Sequence, residues 1–138
     1  MIPFTCRELV RAWRNATAAS CLNPRTNSHR LLLFYAVECG LKAAYLKRQK
    51  TDPLDGQTAA TLMHDLNRIL DKVNADKALR LPDQLTLQPI KNPETIRRCH
   101  IGELNQIWRY GGELEKPKDH EIEQHLETIQ LWIAKELQ

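Results

Sequence analysis

The sequence predicts an all-α protein, an antiparallel bundle of four to five helices. Two observations carry that reading. Apolar residues recur at steps of three and four through most of the chain, and capping residues or glycines punctuate those segments. No strand pattern or internal repeat is evident.

The first helix opens on Thr5-Cys6-Arg7-Glu8, a capping box in which the Thr hydroxyl takes an orphan amide and the Glu reaches back. Leu9, Val10, Trp13, Thr17 and Cys21 then form one face, and Asn23-Pro24 stops the helix. A second helix runs from a cap at Asn27 or Ser28 to about Lys50, with Leu31, Phe34, Tyr35, Glu38, Leu41, Lys42 and Tyr45 on one stripe. Its last turns hold Lys47, Arg48 and Lys50, where the helix dipole favours cations.

After the turn cluster Thr51 to Gly56, the spacing of Leu62, Leu66, Ile69, Leu70 and Val73 predicts a third helix over 58–73. Residues 74–92, broken by Pro82 and Pro89 but rich in leucine, read as a packed loop with a short helical turn. Asn92-Pro93-Glu94 reads as the start of a fourth helix, Asn capping and Pro at the first position. Its buried side is Ile96, Leu104, Ile107 and Trp108, and Gly111-Gly112 ends it. A fifth helix from Asp119 to the C-terminal end buries Ile122, Leu126, Ile129, Trp132 and Ile133.

Composition sets the outer bounds. The 138 residues are 42% hydrophobic and 27% charged, ordinary values for one globular domain spanning 1–138. No apolar run approaches the ~20 residues a membrane span needs, so no membrane partner is expected. The net charge of +3 permits an RNA partner without demanding one. Cys6, Cys21, Cys39 and Cys99 make no C-x-x-C pair, and the N-terminus lacks a signal-peptide layout. Reduced thiols and no export signal lead to the expectation of a cytoplasmic protein.

Few residues offer chemistry. Glu38 and Lys42 stand four apart among apolar neighbours: either an ordinary helix-surface pair worth about 0.2–0.5 kcal/mol, or a partly buried pair to which Arg109 adds a third charge. His64-Asp65 reads as a polar helix start or as part of a site. His120 and His125 have the wrong spacing for a shared metal, there is no Gly-rich phosphate loop, and no cofactor or metal is expected. Trp108-Arg109-Tyr110 is the most distinctive string. Its arginine and aromatics suit a nucleobase and a phosphate; equally, Trp108 is core, Arg109 a helix-end charge and Tyr110 packing over the turn.

Three strings in order, Tyr35-Ala36-Val37-Glu38-Cys39-Gly40-Leu41-Lys42-Ala43-Ala44, His64-Asp65-Leu66 and Trp108-Arg109-Tyr110, resemble the HEPN domain family over roughly residues 7–112. The resemblance implies a small helical bundle, commonly a symmetric dimer, in prokaryotic toxin–antitoxin, anti-phage or RNA-processing systems. Many relatives are metal-independent ribonucleases that carry an arginine followed, after a short spacer, by a histidine. Here no histidine follows Arg109 at that spacing, and Arg25–His29 and Arg97–His100 are too close.

The resemblance therefore implies a non-catalytic binding or assembly module, in anti-phage defence or a toxin–antitoxin pair, with Glu38, Lys42, His64, Arg109 and Tyr110 lining its cleft. The alternatives are a ribonuclease rebuilt from Arg97, Arg98, His100 or His64, and a structural subunit without ligand. A homodimer or a protein partner is expected, because Leu31 to Tyr35 place apolar residues all round the second helix.

Overall fold

The computed structural model describes residues 2–138. Among these residues the fold is mixed α/β: six α-helices and a three-stranded antiparallel sheet, which overturns the all-α bundle. The helices are α1 (Cys6–Ala19), α2 (Asn27–Gln49), α3 (Gly56–Leu62), α4 (Leu66–Lys72), α5 (Leu104–Arg109) and α6 (Asp119–Glu136). The strands are β1 (Gln84–Lys91), β2 (Glu94–His100) and β3 (Leu114–Lys116), in the order β2-β1-β3.

The outer helices form as their sequences require. Thr5 and Glu8 make the capping box of α1. Thr26, rather than Asn27 or Ser28, caps α2 by accepting from the His29 amide. The central helix α2 packs against α1, α4, α5 and α6. Gly40 permits its tightest approach: a Cβ there would lie 2.8 Å from both Trp13 and Ile133. Leu33 and Phe34 are buried within the chain and Leu31, Leu32 and Tyr35 are half-buried, so this apolar surplus is covered largely from within.

The middle of the chain departs from the expectations. The single helix over 58–73 is two helices, because Met63 takes a left-handed φ of 50° and Asp65 starts a new helix by accepting from the Arg68 amide. The stretch 74–92 keeps a 3-10 turn at Lys77–Leu79 but ends in β1. Asn92-Pro93 caps no helix; it is the two-residue turn of a hairpin in which Lys91 faces Glu94 and Gln84 faces His100. An Asn-Pro pair initiates turns as readily as helices; here Leu85, Leu87 and the ladder to β2 and β3 decide it. Pro89, which cannot donate a ladder hydrogen bond, falls where the register slips between Leu87 and Ile90. The fourth helix shrinks to α5, which keeps Leu104, Ile107 and Trp108 buried, whereas Ile96 lies on β2 and is 63% exposed. No helix among the described residues is long and apolar enough to cross a membrane.

Candidate functional site

Of the five residues expected to share a cleft, three come together. Glu38 is 5% exposed on α2, and its Oε2 accepts from Lys42 Nζ at 3.0 Å and from His64 Nδ1 at 2.6 Å. Lys42 arrives by helix spacing alone. His64 arrives because the chain breaks at Met63, whose φ of 50° and ψ of −137° is a conformation that bulky side chains rarely adopt. Strain of this kind persists where the surrounding structure holds it, often beside a site.

Arg109 and Tyr110 do not join them. Arg109 does not fork onto Glu38; it donates to the Tyr35 hydroxyl, one turn earlier on α2. That bond is the chief cause holding the Arg109 pKa above its ordinary value. Tyr110 is 78% exposed. Trp108 is core, its indole donating to Asp119 Oδ1 at 2.8 Å.

His64 Nδ1 faces a carboxylate oxygen that can only accept, so Nδ1 carries a proton, and in the neutral ring the half-exposed Nε2 edge is an acceptor. The ring borders a cleft of about 390 Å³ lined also by Arg68, His100, Glu103, Asn105 and Gln106. His100 has the opposite arrangement: its Nδ1 accepts from the Gly102 amide at 3.0 Å, which leaves the proton of the neutral ring on Nε2.

Asn105 is 3% exposed, yet its buried Oδ1 has no hydrogen-bond partner. A buried amide oxygen without a donor costs about 1–3 kcal/mol, so this position is expensive unless something else supplies the donor. A second cleft, of about 260 Å³, shares Glu103 and Gln106 with the first and continues past Arg97 and Cys99 to Tyr110. Arg97 has its Nε buried and unpartnered there, while its Nη2 donates to Gln88 O at 2.7 Å.

Sequence reasoning missed Asn105 and Arg68 as cleft residues and named His100 only for the nuclease alternative. The adjacent Leu104 and the apolar spacing of α5 disguise Asn105, and only the unpaired atom reveals it. A wider cleft, of about 700 Å³ beside Arg25 and Arg30, carries charges that cancel internally. Glu123 accepts from both arginines, at 3.3 and 2.8 Å, and Glu127 from Arg25 at 2.6 Å. No group of three or more metal-ligating side chains assembles among the described residues. In comparisons with family models, curated proteins and solved structures, nothing matches the chain.

Proposed function

We propose that this chain is a binding module that takes single-stranded RNA along the groove from His64 to Tyr110. The unpartnered Oδ1 of Asn105 carries the reading. Asn105 Oδ1 and His64 Nε2 both call for a donor, while His100 Nε2 and the Arg68 guanidinium offer donors to an anion. A ribonucleotide meets both demands once docking uncovers the buried Asn105 Oδ1, since its 2′-hydroxyl donates beside a phosphate that accepts. At the far end, the exposed Tyr110 ring offers a base a stacking surface. The order of the three HEPN-like strings supports an anti-phage or toxin–antitoxin setting, in which such a module would bind rather than cut.

The test is anisotropy titration with labelled single-stranded RNA and DNA of one sequence. RNA should bind more tightly. Asn105→Leu, which removes the polar atoms while keeping the volume, should abolish that preference without lowering the melting temperature. Tyr110→Ala should weaken binding roughly tenfold, as loss of one stacked base would. Equal affinity for RNA and DNA, or full affinity in Asn105→Leu, defeats the reading.

A second reading rests on the opposite proton positions of the two histidines. His64 Nε2 is placed to accept the 2′-hydroxyl proton and the His100 Nε2–H to hydrogen-bond the phosphate as charge builds on it. With water protonating the leaving 5′-oxygen, this is assistance that metal-free RNA cleavage can use. Incubation with labelled transfer RNA without metal separates the two: cleavage lost in both His64→Ala and His100→Ala favours the enzyme.

A further inference from the structure

The strand β2 is an outer strand of the sheet, with β1 on one side and, among the described residues, no strand on the other. Such an edge leaves a row of amides and carbonyls open for pairing. Proteins usually blunt an edge with inward charges, prolines or a covering loop. β2 carries one such inward charge, Arg97, and follows Pro93, yet it also presents a β-branched apolar residue, Ile96, 63% exposed beside its centre.

The charges around Ile96 are arranged for a copy of the same strand. A two-fold axis requires that if residue i meets residue j, then j meets i. In an antiparallel pairing centred on Ile96, Ile96 meets Ile96 of the second copy and Glu94 meets Arg98, once on each side of the axis. All three side chains lie on one face of the sheet because strand residues alternate, and all three are exposed in the chain alone. Centring the pair on Arg97 would set arginine against arginine, and centring it on Thr95 would set Glu94 against Ile96. Only one register satisfies both charge and apolar burial.

We propose that two copies of this chain join through the free edge of β2, antiparallel and centred on Ile96, into a continuous six-stranded sheet. The half-buried Arg97, on the opposite face, would stand across from Thr95 of the second copy and keep its bond to the Gln88 carbonyl. Arg98 also lines the second cleft, but the dimer needs no ligand, so its test reads the interface apart from the RNA groove.

Sedimentation velocity on the full chain, without nucleic acid and at micromolar concentration, reads it directly. The wild type should be a dimer. Arg98→Glu alone places Glu against Glu twice and Glu94→Arg alone places Arg against Arg twice. Each should weaken the dimer roughly tenfold or more. Mixing the two variants restores opposite charges at both ends, so the mixture should form a heterodimer. Ile96→Lys should give a folded monomer by circular dichroism. A wild-type monomer even at roughly 100-fold higher concentration, which would reveal a dimer about 100-fold weaker, a dimer indifferent to Arg98→Glu, or a mixture of two folded variants that stays monomeric would each overturn the proposal.

Discussion

Two contacts one turn apart on α2 look alike in sequence and differ in physics. At Glu38, a carboxylate that is 5% exposed holds two nitrogen donors on one oxygen. At Tyr35, a phenol meets Arg109, an arginine at the surface. The first is a buried charge that must be paired, because water no longer solvates it. The second is a surface hydrogen bond that water can replace with little loss. Arg109 was expected to join the Glu38 centre. Burial separates them, and it makes Glu38 the residue the fold depends on.

The largest effect should come from Glu38→Ala. It leaves the Lys42 ammonium half-buried with no counter-charge and should cost about 3 kcal/mol, a fall of roughly 10 °C in thermal midpoint for a chain of this length. Calorimetry checks it. A midpoint unchanged in that variant would place Glu38 with the surface pairs and erase the contrast.

Cys39, the next residue along α2, gives a smaller and pH-dependent effect. Burial pushes its thiol up to about 11, with the Glu38 carboxylate adding to the shift and Lys42 opposing it. A thiol raised above its ordinary 9.0 keeps its proton where the unfolded chain has already lost it. The stability this contributes is whole below pH 9.0 and is lost as the pH rises through 11. Denaturant midpoints measured across that window should therefore decline, and Cys39→Ala should flatten the decline. At pH 8, alkylation should reach the exposed Cys21 first and Cys39 last; equal rates would mean that α2 opens on the labelling timescale.

The smallest effect belongs to Arg109→Lys. Lysine keeps the charge near the end of α5 and can still reach a hydroxyl, so the thermal midpoint should stay at the wild-type value. A clear loss would show that Arg109 does more than meet Tyr35, and would bring it back toward the buried centre.

Legibility followed how local the decisive interaction is. The boundaries of α2 and α6 could be read because caps, periodicity and breakers act within a few residues. The Glu38–Lys42 pair was legible for the same reason, being set by helix spacing. His64 was visible only as a polar residue near a helix start, since nothing local announces the break at Met63. The hairpin left a faint local signal: Gln84-Leu85-Thr86-Leu87-Gln88 alternates polar and apolar, and a two-residue turn follows at Asn92-Pro93. Pro82, Pro89 and an Asn-Pro helix cap argued for a loop and a helix start there, and a ladder between partners as far apart as Gln84 and His100 settled it.

By itself, then, the sequence determined the amphipathic helices α1, α2 and α6 and the ion pair that α2 carries, because each depends on neighbours within one or two turns. Tertiary structure decided the rest. It turned a helix start into a hairpin, left Ile96 on an open edge, brought His64 to Glu38 across 26 positions of chain, and buried Asn105 without a partner. Each of these depends on which distant surface removes water from a residue, and no short stretch of sequence specifies that.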